Sequence, residues 1–417
     1  MSALAVAVAV LLGSGLVGNL VRIPLLQAGG KSAPLLPLDL ALAFVLLVGA
    51  VESWRRQRQP LDAVALWGAA FLVVALVGVL SAPARVGISG GQLPFALAYL
   101  ARWSGYFALL PLVGALLRAR EGEQLVEVLR TAILLFAGFG VLQVLLLPGF
   151  AQLVYPESAL YVDWDPQGRR LVSTFLDPNY AGVFVAVGVF LWLGRVLAGC
   201  AAPPWEGVLL LLALLLTLSR GALLGMLAGV AAMGMARGVT RRTVGVVAFG
   251  GVLLALAVPL LLPLAGQYNK LSIDGSALQR LLAWQRAATL LLDFPWLGIG
   301  FNTFGFVRPR YGWPGRGNAS FGLDGGLLFI AALTGVIGVA CFVGLLVSIV
   351  RSARATWRDA NAAPRHRGVA LAVLGSVVGV TVQGTFTNTL MLPLVMAPCW
   401  VLWSMPRVLR RSARVPA

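Results

Sequence analysis

Apolar blocks about 20 residues long, the length a helix needs to cross a bilayer, follow one another along almost the whole chain. They fall near 3–25, 35–53, 62–81, 94–117, 125–147, 177–199, 206–219, 221–237, 243–265, 324–350, 368–387 and 389–406. The pattern predicts an all-α polytopic membrane protein with about 12 transmembrane helices in one integral membrane domain, residues 1–417. Composition agrees: hydrophobic residues make up 59% of the chain and charged residues 11%, against roughly 45–50% and about 25% in soluble domains. The helix count is open at one place, where the seventh and eighth blocks meet at Ser219-Arg220-Gly221.

The first block is too long for a signal-peptide core and has no small-residue cleavage site, so it reads as a retained span. Cys200, Cys341 and Cys399 lie in or beside apolar blocks, form no CxxC pair, and read as small apolar side chains. The net charge of +17 comes from 30 Arg and 2 Lys against 15 acids. In a membrane chain such an excess orients helices and meets anionic lipid rather than nucleic acid. With both termini cytoplasmic, 18 basic residues fall in connections on that side and 12 on the other, six of these in one loop.

That loop, residues 266–323, is the longest interval that cannot be read as a span; the smaller loop at 148–176 lies on the same, extracytoplasmic side. The large loop holds Lys270, Arg280, Arg286, Arg308, Arg310 and Arg316, with Asp274 and Asp293 its acids. Ser276-Ala-Leu-Gln279 has the form of a capping box ahead of an amphipathic stretch ending before Pro295. The resulting surface helix puts Arg280 and Trp284 on one face and Arg286 with Asp293 on another. Its arginines meet either lipid phosphates or a phosphate-bearing substrate, which the guanidinium fork suits. The run Pro295-Trp-Leu-Gly-Ile-Gly300-Phe-Asn-Thr-Phe-Gly305 reads as a tight loop that brings backbone close to a neighbour.

Other residues carry paired readings. Arg220, at the end of a Leu-rich span, either snorkels or forms an anion site with Gly221 permitting the turn. Arg102 lies inside a span, where an arginine is costly and faces a cavity or a partner. Asp177 or Asn179 caps the helix that follows, and both are candidate substrate contacts. Asp163-Trp-Asp165 resembles a metal-binding D-x-D pair, but without nearby His or Cys, and with Arg169-Arg170 following, no metal is expected. Asp324 is either a first-turn acid favoured by the helix dipole or a general base. His366, the sole histidine, falls in a cytoplasmic connection, away from the basic loop.

Four segments together, STFLDPNYAG, LTLSRGALLG, RLLAWQRAATLLLDFPWLGIGFNTFG and LDGGLLFIAALTGVIG, resemble the O-antigen ligase and Wzy-type polymerase superfamily over roughly residues 170–340. The resemblance implies a GT-C-like glycosyltransferase of the bacterial inner membrane, with its active site facing the periplasm. The donor would be a polyprenyl-diphosphate-linked oligosaccharide, and the acceptor a lipid-linked repeat unit or lipid A core. Membrane lipids are the remaining partner, with room for a chain-length regulator, and no cofactor is implied. Arg280 and Arg220 would meet the diphosphate, offsetting the charge on the leaving group without a metal. Trp284, Arg286, Arg308, Arg310, Arg102, Asp177 and Asn179 are further candidate substrate contacts. Ligases of the superfamily carry a histidine at the end of the large loop. Here that place reads Leu323-Asp324-Gly325-Gly326, which favours a polymerase with Asp324 as base. A transporter or flippase for lipid-linked glycans is the rival, and it demands ionisable groups near the midplane of several helices.

Overall fold

The structure, a computed structural model, describes residues 1–28, 31–55, 62–156, 169–240, 242, 245, 275–314 and 322–411. The expected span at 243–265, the D-x-D pair, and the parts of the large loop holding Lys270, Asp274 and Arg316 lie outside the described residues. So does the side chain of Ser276, on which the capping box depended.

The described chain is helical apart from one hairpin. In order, it forms α1 (Ala3–Ser14), β1 (Ile23–Ala28), β2 (Lys31–Leu35), α2 (Pro37–Trp54), α3 (Ala63–Leu80), α4 (Ala82–Val86), α5 (Leu93–Leu116), α6 (Ala119–Leu146) and α7 (Phe150–Val154). There follow α8 (Pro178–Leu197), α9 (Pro204–Leu216), α10 (Arg220–Ala236), α11 (Gly275–Asp293), α12 (Phe304–Val307), α13 (Leu327–Arg358), α14 (Pro364–Gly384) and α15 (Pro393–Arg411).

Among the described residues seven helices, α2, α3, α5, α6, α8, α13 and α14, are long and apolar enough to cross a membrane. This makes the chain a multi-pass membrane protein. The expected 12 are met only in part. Residues 3–25 do not form one helix: α1 stops at Ser14, a tight turn covers Gly15–Val17, and Gly18 takes φ 57°. The chain then pairs β1 antiparallel with β2, from Ile23 opposite Leu35 to Ala28 opposite Lys31. Glycine at 13, 15 and 18 and proline at 24 break the apolar run that hydropathy alone reads as continuous. The junction at Ser219-Arg220 is a real helix boundary, since α9 and α10 are separate, each too short to count among the seven.

Polar caps start several helices. Asp62 accepts from the Ala65 N–H at 2.8 Å, and Asp177 accepts from the Asn179 and Tyr180 N–H groups at 2.7 and 3.2 Å. Lipid gives no hydrophobic drive for helix association, so close backbone approach does that work. α10 meets α14 where Gly225 and Gly379 face each other's carbonyls, and α8 meets α14 at Gly194 and Gly368.

α13 is broken. Gly335 takes φ 65°, ψ −173°, freeing backbone groups that lipid cannot satisfy. The Pro295–Gly300 loop supplies the partners: Ile299 and Gly300 N–H donate to the Ala332 and Leu333 carbonyls at 2.9 and 3.0 Å. The Val336 N–H donates back to the Pro295 carbonyl at 2.8 Å. A side chain at Gly298 or Gly335 would collide with the facing backbone at 2.4 and 2.2 Å respectively. The glycine loop does bring backbone close to a neighbour, and that neighbour is a split helix.

Candidate active site

Three helix starts and one helix end meet at one end of the bundle. The first start is α8. Its N-cap Asp177 is buried, and the preceding turn at Ser173–Phe175 ends in Leu176 at φ 55°. The second is α10, where Ser219 Oγ accepts from the Ala222 N–H at 3.3 Å. The two starts are tied directly, because Ser219 Oγ also donates to Asn179 Oδ1 at 3.0 Å. Arg170 braces the same corner by donating Nε to the Thr217 carbonyl at 2.9 Å. The third is α13, entered through Asp324, Gly325 at φ 147° and Gly326 at φ 47°. Gly326 packs so closely on Gly384, at the end of α14, that a Cβ would lie 2.5 Å from the Gly384 carbonyl.

α11 closes this corner. Arg280 Nε donates to the Phe386 carbonyl at 3.0 Å, and Trp284 Nε1, one turn on, donates to the Thr385 carbonyl at 2.9 Å. The Phe386 side chain abuts Gly221, next to Arg220 at the head of α10. The Trp284 ring lies against Gly325. The turn Gly384–Phe386 is therefore the hub on which Arg280, Trp284 and the heads of α10 and α13 converge.

Electrostatics follow from the grouping. Burial pushes the Asp324 carboxyl up to about 6; the Arg280 charge pulls it down and the Asp177 charge pushes it up again. Burial also raises the Asp177 carboxyl, opposed by its two N–H bonds and by the Arg170 charge. Two carboxylates whose charges repel must lie near each other. Helix starts carry partial positive charge, so with Arg280, Arg170 and Arg220 this end of the bundle suits an anion, although Asp177 already takes the first N–H groups of α8. Asp324 at about 6 is largely ionised at neutral pH and close enough to it to exchange a proton.

The structure thus brings Arg280, Trp284, Asp324, Asp177, Asn179 and the head of α10 with Arg220 to one place. Other sequence candidates lie elsewhere. Arg286 sits over the Trp313 ring, 5.6 Å from its centroid, and Arg308 Nη1 donates to the Trp313 carbonyl at 3.0 Å. Arg310 donates to the Val86 and Gly87 carbonyls. Arg102 forms a two-pronged ion pair with Asp39, Nε to Oδ1 and Nη2 to Oδ2 at 2.7 Å each, and lines a cavity of about 150 Å³. His366 pairs with Glu123 at 2.6 Å, far along the chain from the loop residues.

Sequence reasoning missed Arg170 as a brace, Asp39 as the partner of Arg102, and the Gly384–Phe386 hub. The hub had a signal: Gln383-Gly-Thr-Phe-Thr-Asn-Thr389 is an unusually polar run between apolar blocks. Hydropathy alone reads it as the end of one span and the start of the next.

Comparison with curated proteins finds no match to the chain. Residues 207–343 match the family model described as O-antigen ligase, a stretch running from α9 through Arg220, Arg280 and Asp324 into α13. The head of α10, the loop helix and the entry to α13 all lie inside that match, so this third of the chain is similar to the O-antigen ligase/Wzy-type superfamily.

Proposed function

We propose that this protein is a glycosyltransferase working on the outer face of the bacterial inner membrane, both termini lying in the cytoplasm. It takes a glycan from a polyprenyl-diphosphate carrier and passes it to an acceptor sugar, polymerising repeat units of a surface polysaccharide. The observation that carries the reading is that the Arg280 charge acts on Asp324 where Arg280 is fixed to the Phe386 carbonyl, at the convergence of helix starts. The arginines and the positive ends of the helices hold the donor diphosphate. As the bond from the sugar's anomeric carbon to phosphate breaks, negative charge grows on the diphosphate and those same groups stabilise it. Asp324 takes the proton from the attacking acceptor hydroxyl, whose oxygen forms the new glycosidic bond.

A ligase reading keeps the same donor site and changes the acceptor to lipid A core or another glycan; the family description favours it, and the aspartate in place of a histidine favours the polymerase. Purified protein given lipid-linked repeat units in EDTA decides between them. A ladder of lengthening products supports polymerisation, and one product formed only when a core acceptor is added supports ligation. No transfer to either acceptor contradicts both.

A further inference from the structure

The cavity beside Arg102 has a chemistry of its own. It lies between α5, the loop at Phe301 and Asn302, α13, and the segment joining α14 to α15. Among the described residues, Asn302 Nδ2 and Asn388 Oδ1 are buried and make no hydrogen bond, and both residues line this one cavity. A buried amide left unpaired is costly, so a small turn of either side chain toward the cavity would be favoured by a ligand that meets it. The Arg102 charge is already matched by Asp39. The cavity therefore selects neither an anion nor a cation, and an acyl chain would strand both amides. Its remaining wall is apolar, with aromatic rings on one part and Leu333, Met391 and Pro393 on another. Trp103 is held flat by stacking on Phe107, with ring centroids 5.8 Å apart and planes 3° apart, and it also leans on Phe301. A cavity of about 150 Å³ holds one six-membered ring rather than a chain.

A neutral ring with hydroxyls on its edge and C–H groups on its face answers each of these features. We propose that the cavity binds one neutral pyranose ring, its hydroxyls paired with Asn302 and Asn388 and its apolar face against the aromatic wall. The proposal rests on the glycan-transfer reading for its choice of sugar. Its location fits: Asn388 lies two residues beyond Phe386, which holds Arg280, and Phe329, also in the wall, lies five residues beyond Asp324. Two short stretches of chain thus link the cavity to the reacting centre, and a sugar held there would bear on which glycan is accepted.

The test uses the full-length protein in lipid nanodiscs free of glycoside detergent. Methyl glycosides of glucose, galactose, mannose, rhamnose and N-acetylglucosamine are probed one at a time by saturation-transfer NMR. At least one should bind, and its signal should fall about fivefold in Asn388→Ala and Asn302→Gly, each amide bond being worth that much. Asn302→Gly keeps the left-handed backbone that Asn302 adopts at φ 57°. Asn388→Leu, which keeps about the same volume and removes both amide atoms, serves where the alanine variant does not fold. No binding by any glycoside, or equal binding in both variants, overturns the proposal and leaves a water-filled cavity. Arg280→Ala separates the two readings. If it loses transfer while no glycoside binds wild type, the sugar subsite alone fails. If it keeps full transfer while glycosides still bind, the diphosphate site fails and the subsite stands.

Discussion

The Ser219 hydroxyl donates to the Asn179 side-chain oxygen at 3.0 Å while accepting from the Ala222 N–H at 3.3 Å, so one side chain caps α10 and fastens it to the head of α8. The two helices come from segments forty residues apart, and this bond holds their positive ends side by side. Ser219→Ala removes a cap and orphans a buried amide oxygen. It should destabilise the protein by about 1–3 kcal/mol, read as a lower melting temperature in detergent. Transfer should fall more than expression, because the anion site loses its alignment.

The break in α13 makes a harsher demand. Gly335→Ala would place a methyl group 2.2 Å from the Trp296 backbone at a left-handed φ of 65°. No side chain can yield there, since the obstruction is backbone. The variant should fail to accumulate as folded protein, whereas Gly199→Ala, a site with open space and a similar φ of 73°, should cost about 1 kcal/mol. Size-exclusion profiles of the two variants check the contrast.

Arg102 and Asp39 are 63 residues apart and form a two-pronged pair, with the Asp39 side chain 8% exposed. Asp39→Ala leaves an uncompensated guanidinium between helices and should cost about 3–5 kcal/mol. Joint replacement, Asp39→Leu with Arg102→Met, should recover part of that loss, since the Tyr106 hydroxyl and the Leu36 N–H also donate to Asp39. A melting-temperature double-mutant cycle measures the coupling, and additive losses would contradict a direct pair.

The pH dependence follows from Asp324. A base with its carboxyl at about 6 is active when ionised, so transfer should fall as pH drops through about 6. Arg280 lowers that value and Asp177 raises it. Asp177→Asn should therefore shift the acid limb to lower pH. Stability runs the opposite way. A carboxyl raised on folding favours the protonated native state, so its stabilising contribution is complete below the unfolded value near 3.8 and is lost as pH rises through about 6. Asp324→Asn should thus melt a few degrees higher than wild type at pH 8 while transferring nothing.

Much of this arrangement was legible in the sequence, for local reasons. Asp177 announces itself as a cap because proline follows it, fixing the first helical turn. Arg280 and Trp284 are four residues apart, so helical periodicity puts them on one face before any partner is known. The partners were not legible. Nothing in a single sequence links Arg102 to Asp39 or Arg280 to the Phe386 carbonyl, since those contacts are set by packing across the bundle. Hydropathy also hid the break at Gly335, because one glycine barely changes the average over an apolar run. The same averaging merged α1 with the hairpin after it.

The central claim is that Arg280 and Asp324 serve one reaction. The most direct measurement is transfer from a lipid-linked repeat unit by purified wild type, Arg280→Ala, Asp324→Asn and Arg310→Ala in liposomes, with donor binding measured on each. The account predicts no product from the first two variants, with donor binding weakened in Arg280→Ala and kept in Asp324→Asn. Arg310→Ala, whose guanidinium is bonded to the Val86 and Gly87 carbonyls, should keep making product. Wild-type rates in both Arg280→Ala and Asp324→Asn would contradict it.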